Sequence, residues 1–101
     1  MLANAQPKPP SRAAEKAHAK ALKAAYQRVI YRLVSKRDGY RCRCCGRDKN
    51  LHHHHMTRRS RGGADSEQNV LLLCSICHAD IHAWRLHIIG NSANGILRFT
   101  R

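Results

Sequence analysis

Two sets of metal-binding side chains stand side by side in the middle of this chain. Cys42 and Cys45 form one Cys-x-x-Cys pair, and Cys74 and Cys77 form a second. His52, His53, His54 and His55 run consecutively between them, and His78 and His82 follow the second pair, making six of the eight histidines. Thiolates in two spaced pairs suit a closed tetrahedral zinc, which has no open position and is therefore structural. Imidazoles suit a borderline cation that keeps open positions for chemistry.

The two-residue gap in each pair lets both sulfurs face one ion, and Gly46 permits the turn after Cys45. Cys44 falls outside this pattern and reads as a spare thiol, since adjacent Cys44 and Cys45 would strain a tetrahedral site. A redox dithiol is the competing reading of a lone pair; two pairs argue for metal. In a chain this small the metal would supply much of the folding energy. His78 and His82 are four residues apart and share one face of a helix. Opposite a histidine-rich strand they suggest ligands of a second metal. An interior run of four histidines is too short and too central for an affinity tag.

The elements that must position these residues follow in order. Residues 1–12 contain three prolines and read as a disordered basic tail. Alanines and the spacing of Leu22, Tyr26, Val29, Ile30 and Leu33 predict a helix from Ala13 to Arg37, with Asp38-Gly39 ending it. Lys16, Lys20, Arg28 and Arg32 fall away from that apolar stripe. Tyr40 to Arg47 is a tight knuckle. Leu51 to Thr57 reads as a strand, Arg58 to Gln68 as a loop turning at Gly62-Gly63, and Asn69 to Leu73 as a second strand. A helix over Cys74 to Ala83 follows. Leu86 to Ile89 and Ile96 to Phe99, joined through Gly90 to Gly95, read as a closing hairpin. The whole is one domain over residues 13–101: helix to 38, zinc-knuckle core 39–85, hairpin 86–101.

Nineteen basic residues face six acidic ones, a formal charge of +13. Such a surface attracts polyanions, and a metal site suited to phosphate chemistry points to nucleic acid. An anionic lipid surface is a poor alternative, because one Phe and one Trp leave little to insert. No stretch is long enough to span a membrane and no export signal precedes the domain, so a reducing cytoplasm is expected.

The combination HHMTRRSRGG, then Asn69, then CSICHADIH, preceded by RDGYRCRCCG, resembles the HNH endonuclease family in its zinc-knuckle form. The resemblance covers about residues 36 to 85. Where the family has I-x-P-R-S-x-G-G, this chain has Arg58 in place of the proline. The resemblance implies an α+β fold, a treble-clef-like ββα-metal (His-Me finger) module carrying an N-terminal helix and a C-terminal β-hairpin. Aligned on Gly62-Gly63, it makes His54 the first ligand of a catalytic cation and His55 the general base. Asn69 becomes the residue that tethers the loop and helps hold the base, His78 the final metal histidine, and His82 an additional ligand. Cys42, Cys45, Cys74 and Cys77 hold structural Zn²⁺. Arg58, Arg59 and Arg61 become contacts to DNA phosphates. His52 and His53 have no fixed counterpart.

It further implies cleavage of DNA phosphodiester bonds leaving a 5′ phosphate, with Mg²⁺ or Mn²⁺, or alternatively Zn²⁺ or Ni²⁺. Small members of this kind are common in phages, which implies a bacterial or phage-infected host cell. The expected partner is duplex DNA read with weak sequence specificity, by a monomer or weak dimer. The alternative is a non-catalytic zinc-stabilised nucleic-acid-binding module, with a zinc ribbon for RNA or ribosome as a third reading.

Overall fold

A computed structural model describes residues 8–93 and 96–101. The first helix, α1, spans Arg12–Arg37, so the residue expected to end the tail begins the helix instead. Ser11 caps it, its side chain accepting from the Ala14 amide, and Asp38 closes it before Gly39 turns left-handed at φ 65°. The expected apolar stripe is mostly not core. Leu22 is 58% exposed and Leu33 45%, with Tyr26 and Val29 between them in exposure, whereas Ile30 and Val34 are buried. The reason is that only the last turns of α1 reach the sheet, with Ile30 and Val34 packing on Val70 and Leu72. Residues 11–23 are exposed throughout.

Strand β1 (Leu51–His55) pairs antiparallel with β2 (Val70–Cys74), setting His55 opposite Val70 and His54 opposite Leu71. Every residue of β2 is buried. Its alternate side chains serve two cores: Val70 and Leu72 meet α1, while Leu71 and Leu73 join Cys42, Cys74, Cys77 and Leu86. The first strand stops two residues short of expectation. Beyond His55 the chain leaves the ladder, with the Met56 amide donating to the Asn69 carbonyl at 2.8 Å.

Helix α2 (Ser75–His82) follows β2 directly, with Cys74 as its N-cap residue. Strands β3 (His87–Asn91) and β4 (Ile96–Thr100) form a separate antiparallel hairpin, whose Ile88, Leu97 and Phe99 pack against the cysteine-side core. The expected connection from Gly90 to Gly95 is shorter, since β3 runs through Asn91; residues 94–95 lie outside the described part. The architecture is α+β, with two helices and two small antiparallel sheets among the described residues. No helix there is long and apolar enough to cross a membrane.

The open edge of β2 is closed by charge. The Asp38 carboxylate, with only 1% of its side chain exposed, accepts from Arg37 at 2.8 Å and from Arg43 at 2.8 Å. It also accepts from the Leu72 amide at 3.0 Å. Arg37 in turn donates to the Val70 carbonyl at 2.8 Å, and the Arg43 amide donates to the Leu72 carbonyl at 2.9 Å. One carboxylate therefore joins the end of α1, the cysteine knuckle and the buried strand. Burial alone would raise its pKa. The hydrogen bonds from Arg37 and Leu72, with the charges of Arg37 and Arg43, outweigh that and hold it below its ordinary value. Its stabilisation is thus complete above the ordinary carboxylate range and is lost as pH falls through the lower folded value. Asp38→Asn is expected to lower unfolding free energy by about 3 kcal/mol, because two guanidinium groups lose their counter-charge. Denaturant melts should show this, and the variant should also lose part of the wild-type acid dependence below pH about 4.

Candidate metal centres and nucleic-acid cleft

The thiols of Cys42, Cys45, Cys74 and Cys77 converge, with their sulfurs all within 4.8 Å of one another. Cys45 Sγ and Cys74 Sγ are 3.6 Å apart, close to the edge of a tetrahedron with metal–sulfur bonds of about 2.3 Å. The Cys45 amide donates to Cys42 Sγ at 3.5 Å, and the Cys77 amide to Cys74 Sγ at 3.4 Å. Each knuckle therefore aims backbone dipoles at a sulfur, which favours thiolate. Burial opposes ionisation of Cys42, but amides of Cys45, Cys74 and Cys44 bring it down to about 7. Burial and the neighbouring thiols push Cys77 up. Four clustered thiols resist ionising together without a cation, so the donor set fits a structural metal such as zinc. Cys44 stays outside it, partly buried against the same core.

Strand alternation divides the four consecutive histidines. His52 and His54 face α2, and ring centroids lie 5.2 Å apart for His52–His78 and for His54–His78. His54, His78 and His82 bring one nitrogen each within 4.8 Å of the others, and the Nε2 atoms of His78 and His82 are 3.1 Å apart. Burial first, then the charges of His78, His82, His55 and Arg58, pull His54 down to about 4. Burial and its histidine neighbours lower His78 as well. The neutral, lone-pair-donating form is favoured at His54 and His78, and with His82 beside them the donor set fits a second cation.

His53 and His55 face the other way, toward α1. His53 stacks on Tyr31 with centroids 4.1 Å apart and planes 3° from parallel, and its Nε2 meets Ser35 Oγ at 2.9 Å and the Tyr31 carbonyl at 3.0 Å. It is a packing residue beneath the helix. His55 Nε2 lies 2.6 Å from Asp65 Oδ1, and Arg59 reaches the same oxygen at 3.0 Å. Burial would raise the Asp65 pKa, but the His55 hydrogen bond and the Arg59 charge hold it low. An ionised carboxylate only accepts, so in the neutral ring this contact puts the proton of His55 on Nε2 and the lone pair on Nδ1.

Residues 42–83, from the first zinc-knuckle cysteine past the last imidazole, match the family model for HNH endonuclease. Over these residues the chain is similar to the HNH endonuclease family. No curated protein matches the chain, and neither does any solved structure.

Around the imidazoles of this HNH-like segment lies a cleft of about 930 Å³, lined by His54, His55, His78 and His82 and by Arg58, Arg59 and Arg61. Asn69 ties the loop between them: its Oδ1 accepts from the Thr57 amide at 2.7 Å, and its Nδ2 donates to the carbonyls of Thr57 at 3.0 Å and Ala64 at 2.9 Å. The bond to the His55 ring comes from Asp65, not from Asn69. Gly63 permits the same loop, since a Cβ there would collide with the Thr57 carbonyl. Arg59 is turned inward to Asp65 and to the Tyr31 hydroxyl, at 3.2 Å.

Sequence reasoning missed Asp65 and Tyr31. Asp65 belongs to no motif, but it is one of only six acidic residues, set in a loop that holds three arginines. A carboxylate retained there against so basic a background was the available signal. Cys77→Ser is expected to abolish cooperative unfolding and the near-native circular dichroism. Elemental analysis of the wild-type chain should find one firmly held zinc; a Cys77→Ser protein that melts like wild type would remove the structural role.

Proposed function

We propose that the HNH domain is a metal-dependent nuclease that hydrolyses DNA phosphodiester bonds. In this reading β1, β2 and α2 form the ββα-metal arrangement of the site. What carries the proposal is the pairing, in one cleft, of a three-imidazole cluster with a separate imidazole held by a carboxylate. A pure binding module has no use for the second.

His54, His78 and His82 would hold the divalent cation, Mg²⁺ or Mn²⁺, or alternatively Zn²⁺ or Ni²⁺, which imidazole ligands suit better. Bound there, it would supply positive charge for the developing phosphorane and for the leaving 3′ oxygen. His55 takes the proton from the attacking water at Nδ1, and Asp65 keeps the ring in the tautomer that leaves this nitrogen free. The imidazolium then formed is stabilised by the same carboxylate. Asn69 keeps the loop carrying Asp65 and the arginines closed over the strand. Arg58 and Arg61, both exposed, contact flanking phosphates, while Arg59 holds Asp65 ionised. The product carries a 5′ phosphate. With no evident base-reading helix, the HNH domain selects DNA weakly by sequence.

Plasmid relaxation with and without added Mg²⁺ or Mn²⁺ tests the reading. His55→Ala is expected to lose cleavage by a factor of at least about 100, within the range of general-base catalysis, while keeping fold, DNA binding and both metals. His54→Ala and His78→Ala should lose cleavage through loss of the cation, so that raised metal concentration restores part of the rate. His53→Ala should cleave but melt earlier, because the Tyr31 stack and the Ser35 bond are removed. If the wild-type chain relaxes no plasmid with either cation, or if the His54, His55 and His78 variants relax it as the wild type does, so that the activity does not come from this site, the nuclease reading fails and a zinc-stabilised binding module replaces it.

A further inference from the structure

The first half of α1 is a helix without a tertiary partner among the described residues. Residues 11–23 are exposed, and alanines at 13, 14, 17, 19 and 21 supply helix propensity in place of packing. Its charges are arranged at a cost. Arg12, Lys16 and Lys20 follow at intervals of four, and Lys23 comes three later, so like charges repel along one ridge. Such a ridge is stabilised by a polyanion.

The direction of that ridge follows from helix geometry. At roughly 100° per residue, Lys16, Lys20, Lys23, Gln27 and Tyr31 fall within an arc of about 80°. Tyr31 is the residue that stacks on His53, and its ring lies 6.1 Å from that of His55. Gln27 lies 3.0 Å from the Tyr31 hydroxyl, with its amide oxygen turned to accept. Lys20, Lys23 and Gln27 line a hollow of about 200 Å³ whose other wall is Arg59 and Asp65. The lysine ridge therefore runs directly into the loop that holds His55. The single acidic residue of α1, Glu15, lies roughly 100° around the helix from Lys16, beside Leu22 and Tyr26, and Asp65 is already paired with Arg59. Arg28, Arg32 and Lys36 are exposed on a different face.

We propose that Lys16, Lys20 and Lys23 form a phosphate-binding arm that holds one flank of a nucleic-acid duplex beside the HNH cleft. Lys16 to Lys23 spans about 10 Å of helix, which matches about three successive phosphates of one strand. The proposal rests on reading the cleft as a nucleic-acid site, but it is tested without cleavage.

The experiment measures binding of the full chain to a 30-base-pair duplex by fluorescence anisotropy over a salt series, with no divalent cation added. Two triple variants remove the same charge: Lys16→Ala/Lys20→Ala/Lys23→Ala from the ridge, and Arg28→Ala/Arg32→Ala/Lys36→Ala from the other face. The ridge variant is expected to bind at least about tenfold more weakly near 0.1 M salt, and the slope of log K against log salt should fall by about 2 to 3. The second variant should stay within about threefold of wild type. Both should melt no lower than wild type, because alanine is the better helix former. Equal losses in the two variants would mean that net charge alone binds, and no loss in the ridge variant would mean that the arm touches nothing; either overturns the proposal. A chain that binds in the expected pattern yet never cleaves DNA would overturn the nuclease reading and leave the arm standing.

Discussion

Everything at the cleft depends on one geometric constraint: β1 is paired in fixed register with a strand that is buried on both faces. Because side chains of a strand alternate, the pairing of His55 with Val70 sends His55 and His53 toward α1. The pairing of His54 with Leu71 sends His54 and His52 toward α2. A slip of one residue would exchange the two sets and place His53 and His55 at the metal cluster. It would also pull His53 off the Tyr31 ring and away from Ser35 Oγ and the Tyr31 carbonyl. The contacts of β1 beneath α1, against a β2 fixed by its own burial on both faces, thus enforce the division of labour among four otherwise identical side chains.

That register is held at both edges of β2. On one side stands the β1 ladder, and on the other the Asp38 carboxylate and the Arg43 amide satisfy Leu72. The sulfur cluster lies at the end of the same strand, since Cys74 is both its last residue and the N-cap of α2. An ion bound there would fix the distance from β2 to α2, and so the approach of His78 and His82 to His54. Few apolar residues are buried among the described residues, so a metal held there would join the buried carboxylate in work that a larger core does elsewhere.

The sequence made some of this legible and concealed the rest for identifiable reasons. Cysteine pairs at fixed gaps and histidines at helical spacing are local patterns, so the convergence of Cys42, Cys45, Cys74 and Cys77, and of His78 with His82, could be read directly. The strands and helices were readable to within two residues, because turn residues such as Gly39 and Gly62 mark their ends. The apolar stripe of α1 misled, because periodicity shows that a helix has an apolar face but not how far its partner extends. Leu22 and Tyr26 lie beyond the end of the sheet. Asp65 was hidden because its meaning depends on a contact made across a loop, and no spacing rule reports that. His53 looked like a spare imidazole, yet Tyr31 and Ser35 make it a packing residue.

Which imidazoles meet a cation decides the division of labour most directly. Crystals grown with Mn²⁺ would show it by anomalous diffraction, with the four-sulfur site as an internal reference. The expected result is an ion bound by His54, His78 and His82, at about 2.0–2.3 Å from each nitrogen, while His55 remains on Asp65. An ion bound instead by His53 or His55, or a His55 ring released from Asp65 to ligate it, would contradict the account.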